Sequence, residues 1–235
     1  MKALRLKIST YAVALLISVG LSTTSHAGSS DFAGIYGALN ASAGGAAING
    51  SHTNQSGEVT DGQVGGVFPL AGYEVGFTLP IGDVLFIGAG HSWTKGGTAS
   101  IADAQGDSMG GSNSGDDSNA AADSSIHLKA KNLKEVYITP GISITDNSAI
   151  YVKIGRTIAD TEISGNVSGT PGNLTGDTLG IGTIAMMPNG IFVKTEGSVT
   201  RFEEISLTGV GGSAGAKVRG NPDMVAGSIA IGFKF

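Results

Sequence analysis

Beyond residue 27, apolar and polar side chains alternate with a period of two, which is typical of β-strands. Near the carboxyl terminus, Val225, Ile229, Ile231, Phe233 and Phe235 share one face of this pattern, and small residues occupy the other. No amphipathic helix is recognisable in this part of the sequence. The predicted strands are residues 31–48, 66–80, 84–97, 131–146, 149–164, 174–187, 191–206 and 221–235.

The links between these strands alternate between long and short. The short links have turn-forming sequences at 80–83, 146–148 and 188–190, and the long, polar links are 49–65, 98–130, 165–173 and 207–220. This rhythm predicts an up-and-down antiparallel barrel with both termini at the end that carries the tight turns. Eight strands are expected, and ten are the alternative if the 98–130 segment contains a further hairpin.

Composition indicates what surrounds this barrel. Of 235 residues, 39 are glycine and only 14% are charged, whereas soluble domains carry about 25%. Small residues suit the crowded interior of an eight-stranded barrel, and a charge-poor apolar face suits lipid. The sequence therefore predicts an all-β transmembrane barrel. A net charge of −5 without a basic patch argues against nucleic-acid binding, and the absence of cysteine excludes disulfides and thiolate metal sites.

The amino-terminal segment is predicted to be a secretory signal peptide. Three basic residues precede an apolar stretch from Tyr11 to Leu21, and Ser25-His26-Ala27 follows it. Cleavage is expected after Ala27. Residues 28–235 would then form one barrel domain, with 11 basic against 19 acidic residues and a net charge of −8.

A few ionisable side chains fall on the face predicted to point into the barrel. They are Glu74, Glu135, Lys153, Lys194, Glu196 and Lys234. Three acids balance three bases, and because an unpaired charge in such an interior is costly, we expect them to pair. On the other face, Trp93, Phe233 and Phe235 are candidates for the aromatic girdles at the membrane interfaces.

The two ends of residues 28–235 resemble a known family. Residues 31–38 read Asp-Phe-Ala-Gly-Ile-Tyr-Gly-Ala, which is similar to the first strand of opacity-type and OmpA-transmembrane-domain-like barrels. Phe233 and Phe235 fill the aromatic-x-aromatic ending of the signal that the barrel-assembly machinery reads, although Ala230 stands where that signal usually has glycine. The resemblance implies the outer membrane of a Gram-negative bacterium, contact with its lipids, and insertion by that machinery.

This resemblance implies no single activity, since the family includes structural proteins and adhesins. We expect a monomeric, non-enzymatic barrel without a cofactor, with a structural or surface-interaction role exerted through its loops and through extracellular or envelope partners. One alternative is a narrow porin-like channel for small solutes or hydrophobic compounds. A second is a lipid-modifying enzyme, and a third is a soluble secreted β-barrel or sandwich.

The candidate chemistry in the sequence is sparse. His52 and His127 fall in predicted loops, and the neighbours His91 and Ser92 would point to opposite faces of one strand, which is poor geometry for a base and its nucleophile. Asp116 and Asp117 are weak Ca²⁺ candidates within the acidic 98–130 segment. Their irregular spacing is more typical of an exposed polar loop.

Overall fold

The computed structural model describes residues 28–53, 57, 59–104, 126–164, 167–168, 172–209 and 217–235. Ala27, Asp116 and Asp117 lie outside these residues. The predicted signal peptide with its cleavage position, and the weak Ca²⁺ candidates, therefore stay predictions.

The chain folds into a closed antiparallel β-barrel. Its strands are β1 (Gly34–Thr53), β2 (Val59–Ile81), β3 (Leu85–Ala104), β4 (Ile126–Thr145), β5 (Ser148–Ser164), β6 (Val167–Ser168), β7 (Leu174–Met186), β8 (Ile191–Phe202), β9 (Ile205–Gly209) and β10 (Lys217–Lys234). Eight of them form the wall in the order β1-β2-β3-β4-β5-β7-β8-β10. Pairing of β1 with β10 closes the ring. The predicted eight-stranded up-and-down fold is confirmed.

The ten-strand alternative does not hold. β3 pairs directly with β4 from Leu85–Ile142 to Lys95–Asn132, so no further hairpin enters the wall between them. The two additional strands, β6 and β9, pair with each other, and β9 also pairs with the first residues of β10. They extend the sheet beyond the ring instead of widening it.

Tight turns join the wall strands at one end of the barrel, as expected. They span residues 82–84, 146–147 and 187–190. Gly82 and Gly190 adopt φ angles of 70° and 83°, in the left-handed region that other residues rarely enter. We call this end the turn end and the opposite one the loop end.

A short 3₁₀ helix, η1 (Ser29–Phe32), closes the turn end. The Ser29 amide donates to the Asp83 carbonyl at 2.7 Å, and the buried Phe32 ring stacks on Phe86 with ring centroids 5.5 Å apart. The first predicted strand, 31–48, therefore started too early. β1 begins at Gly34, because η1 turns the chain inward across the barrel opening.

At the loop end the strands are longer than the sequence indicated. Pairing of β1 with β2 continues to Thr53–Val59, well inside the segment 49–65 that was expected to be a loop. Strands also enter the predicted loops 98–130, 165–173 and 207–220. Glycine- and serine-rich composition suggested loops there, but within these segments the strands pair with neighbouring strands.

Packing in the lumen explains part of the high glycine content. Five inward-facing aromatic rings each lie against a glycine of a neighbouring strand. The pairs are Tyr36 with Gly76, Phe86 with Gly141, Tyr137 with Gly90, Tyr151 with Gly182 and Phe192 with Gly232. A Cβ atom on Gly76 would lie 2.6 Å from the Tyr36 ring, closer than packed atoms approach. Each ring thus needs a partner without a side chain.

Candidate functional site

The outer face of the wall is apolar on every one of its eight strands. One exposed residue from each strand, in barrel order, is Ile35, Val75, Ile87, Val136, Ile154, Leu179, Val199 and Ile229. Val136 is 65% exposed and Ile231 is 60% exposed. Water-soluble monomers rarely expose a contiguous apolar surface larger than a few hundred Å². We call this surface the outer belt.

Aromatic side chains mark both edges of the outer belt. Phe233 and Phe235 lie at the turn end, with ring centroids 5.2 Å apart, and Tyr73 packs edge-on against Trp93 at 5.6 Å toward the loop end. From Ile81 to Tyr73, β2 rises about 26 Å along the strand. This is ~20 Å along the barrel axis, because the strands of such barrels tilt by about 40° from that axis. This spacing is close to the apolar band of about 25 Å in membrane barrels.

Toward the loop end, charged side chains replace apolar ones on the outer face. Lys134 pairs with Asp160 at 3.5 Å, and Arg156 pairs with Asp177 at 3.3 Å and Glu203 at 3.1 Å. The Arg156 and Asp177 side chains are 60% and 82% exposed. Such open ion pairs add at most about 1 kcal/mol to stability, but they show where the outer face turns polar.

Inside the barrel, five charged side chains form one buried group, the lumen charge cluster. Lys194 Nζ lies 2.6 Å from Glu74 Oε1. Lys153 Nζ lies 2.9 Å from Glu135 Oε2 and is also paired with Glu196 Oε1. All five residues are at most 9% exposed.

Tyrosine and serine hydroxyls complete the lumen charge cluster. Tyr151 donates to Glu196 Oε2 at 2.9 Å, Tyr137 to Glu74 Oε2 at 3.3 Å, and Ser92 to Glu135 Oε2 at 3.4 Å. Lys194 Nζ also lies 5.5 Å from the centroids of the Tyr137 and Tyr151 rings. These hydroxyls and rings help to compensate the buried charges.

The sixth predicted interior charge, Lys234, is separate from this cluster. It points to the same side of the wall as Tyr36, its β1 partner, but it lies at the turn end and its Nζ donates to the carbonyl of Asp31 in an exposed contact. The three acids and three bases that the sequence indicated therefore do not form one balanced group. The lumen charge cluster contains three glutamates and two lysines.

Sequence reasoning did not assign roles to the tyrosines or to a line of threonine hydroxyls. Thr157, Thr178 and Thr200 hydrogen-bond in series across three adjacent strands, with Oγ1 distances of 2.7 and 2.8 Å. The alternation put them on the inward face. Only the strand register brings them to one level of the barrel, and a single sequence does not specify the register.

Side chains fill the lumen above and below the cluster. Toward the loop end, buried apolar residues pack together; these are Ala46, Leu70, Leu133, Ala159, Leu174, Ile205 and Met224. Toward the turn end, Phe32, Phe86 and Tyr151 form a second packed group. A cavity of about 70 Å³ lies beside the cluster on the loop side, and one of about 30 Å³ lies on the turn side. Both are large enough for a few waters only.

The histidines offer little catalytic geometry. His91 pairs with Val75 and Val136 of the outer belt, whereas Ser92 points inward to Glu135. The two side chains thus lie on opposite sides of the wall. The backbones of His52 and His127 belong to β1 and β4, and not to loops as expected. Among the described residues, no group of three metal-binding side chains comes together.

Comparison with solved structures gives similar bacterial barrels at low identity. The attachment invasion locus protein Ail of Yersinia pestis is 11% identical, with a TM-score of 0.35 over 82% of this chain and 98% of that one. The outer membrane protease OmpT of Escherichia coli is 11% identical, with a TM-score of 0.41 over 92% and 99%. A FadL homologue of Pseudomonas aeruginosa is 10% identical, with a TM-score of 0.36 over 86% and 90%. At this identity the likeness concerns the fold alone.

No protein-family model matches the chain, and no curated protein matches it significantly. The resemblance to opacity-type and OmpA-like barrels therefore stays a prediction. Within the described residues, none of the helical structure has the length and apolar character to cross a membrane.

Proposed function

We propose that this chain is an integral outer-membrane barrel of a Gram-negative bacterium, with a structural or surface-interaction role and no enzymatic activity. The observation that carries the proposal is the outer belt, which is apolar on all eight wall strands and edged by aromatic side chains. In water this surface would drive aggregation. In a bilayer it faces hydrocarbon, and the closed ring leaves no wall strand without partners.

The asymmetry of the barrel supports an orientation. Membrane barrels have short turns on the periplasmic side and longer loops outside. The turn end, which carries η1 and the final residues of β10, would face the periplasm. The long hairpins and the strands β6 and β9 would project from the cell surface, where partners are accessible.

The filled lumen favours this role over transport. Tyr137 and Phe86 are 2% exposed and Tyr151 is 1% exposed, and the ion pairs of the lumen charge cluster span the space between the strands. Stepwise conductance in planar bilayers would instead support the narrow channel. An enzyme that modifies lipid is supported only by His91, whose neighbour Ser92 points away from it; altered lipid A in overexpressing cells would support that alternative.

Electrophoresis after membrane extraction tests the proposal. We expect the protein to require detergent for extraction, and to migrate faster before heating than after heating in a denaturing gel, because a closed barrel resists the denaturant when cold. Extraction by buffer alone, together with identical mobility before and after heating, would contradict a membrane barrel. Accessibility of the loop end to protease added to intact cells would test the orientation.

A further inference from the structure

At the loop end, just past the Tyr73–Trp93 pair at the edge of the outer belt, β2 and β3 stop pairing with each other. Their pairing stops at Ala71–Lys95, yet β2 continues for twelve more residues to Val59 and β3 continues to Ala104. Throughout the part of the chain that the structure describes, no strand pairs with the β2 edge that faces β3 over residues 59–70. We call this segment the β2 edge.

The β2 edge is held in an extended conformation by its other side. It pairs with β1 residue by residue, from Thr53–Val59 to Ser42–Leu70. β1 in turn pairs with β10, and β10 with β9, so the edge belongs to a multi-stranded sheet that projects beyond the outer belt. The backbone groups along it are therefore already aligned for another strand, about 40 Å of template at the usual rise per residue.

The β2 edge lacks most of the features that protect exposed strands from pairing. Such strands usually carry lysines, prolines or bulges. Residues 59–70 contain no basic residue, one acid at Asp61, and one proline, Pro69, near the barrel wall. Val59 and Val67 lie on the same face and are 61% and 87% exposed. An apolar, nearly uncharged edge on a surface protein is suited to accept a strand.

We propose that the β2 edge binds an extended segment of another polypeptide, which adds to the sheet as a further strand. Main-chain hydrogen bonds would supply the affinity, and alternate side chains would supply the specificity. The segment that fits has apolar, β-branched residues opposite Val59 and Val67 and a basic residue opposite Asp61, because directly opposed side chains interact across strands. This inference rests on the proposed surface-interaction role and identifies the surface and the kind of partner.

Geometry disfavours symmetrical pairing with a second copy. Two copies of the barrel in one membrane are related by an axis along the membrane normal. Both β2 strands therefore run toward the same side of the membrane, but they lean in opposite directions where the two edges face each other. Each strand tilts by about 35–45°, and the two edges would cross at about 70–90° instead of aligning. Pairing of one β2 edge with the free part of β3 in another copy would produce self-association, which the experiment detects.

The test uses the full folded protein in detergent micelles and a synthetic nine-residue peptide, Val-Thr-Val-Thr-Val-Thr-Lys-Thr-Val, as the probe. Aligned antiparallel to residues 59–67, it places valine opposite Val59 and Val67 and lysine opposite Asp61. Hydrogen exchange is followed by mass spectrometry with and without the peptide. We expect exchange within 59–70 to slow at least tenfold when the peptide is bound, and exchange in the tight turns to stay unchanged. The double variant Val59→Lys/Val67→Lys places lysines on the edge and should abolish the protection.

The matched control is Ser206→Lys/Thr208→Lys, which adds the same charges to exposed positions of β9, a strand paired on both sides at Thr208. This variant should keep the protection. Equal protection of both variants, or a wild type without protection, would overturn the inference, as would concentration-dependent self-association that protects 59–70 without peptide. Heat-dependent gel mobility, measured on the same samples, reports separately on the membrane barrel.

Discussion

The ion pair between Lys194 and Glu74 provides the sharpest test of how the lumen is stabilised. The side chains are 7% and 6% exposed, and the charged atoms lie 2.6 Å apart. In Lys194→Met, Glu74 keeps only the Tyr137 hydroxyl at 3.3 Å as a hydrogen-bond partner, and the lumen charge cluster changes from two lysines and three glutamates to one and three. Breaking a buried pair in this way costs about 3–5 kcal/mol.

The double variant Lys194→Met/Glu74→Gln separates the pair from its neighbours. One lysine and two glutamates remain, so the net charge of the lumen charge cluster returns to its native value of −1. Met and Gln have volumes similar to those of the residues they replace. We therefore expect the double variant to recover most of the lost free energy of unfolding, to within about 1 kcal/mol of wild type, because a buried pair gains little over a well-packed replacement.

The free energies of unfolding are measured in urea with lipid vesicles, using fluorescence of the single tryptophan, Trp93. Arg156→Met is the matched control, because its side chain is 60% exposed and its ion pairs are open to solvent; it should cost at most about 1 kcal/mol. A Lys194→Met variant as stable as this control would refute the reasoning. So would a double variant as unstable as the single one.

Three further outcomes follow from the packing and the belt. Gly182→Val should cost at least about 1–3 kcal/mol through overpacking against Tyr151, whereas Gly197→Ala, where a Cβ meets nothing within 4 Å, should change the unfolding midpoint little. Ile154→Arg should destabilise the barrel in vesicles by about 2–4 kcal/mol, and a change below 0.5 kcal/mol (about the size of ordinary surface effects) would argue against lipid contact. Fluorescence of Trp93 should be quenched more by lipids brominated near the headgroup than by lipids brominated near the chain ends. The reverse order would show that Trp93 does not lie at the membrane interface.

Much of the wall could be predicted from the sequence because its signals are local. An alternation of two and turn-forming residues such as Gly82 and Gly190 are readable from neighbouring positions alone. The same alternation put Glu74, Lys153 and Lys194 on the inward face, where the structure places them.

The rest depends on register, which is not local. A partner for the Tyr151 ring can be identified only when Gly182 is known to lie opposite it. Lys234 has the inward parity of the cluster residues, but its position at the end of β10 keeps it from joining them. The loop-end hairpins were missed for a related reason, since glycine-rich segments such as 59–65 have the composition of loops and become strands through their pairing with β1.

Spin-label accessibility along β4 tests the central claim, lipid contact of the outer belt, most directly. The chain contains no cysteine, so single nitroxides can be attached at Val136, Ile138 and Ile142, and at Thr208 of the loop-end sheet as the control. In vesicles the three belt positions should collide with dissolved oxygen far more often than with a water-soluble nickel complex, and Thr208 should show the opposite order. Belt positions that are as accessible to the nickel complex as Thr208 would contradict the membrane barrel.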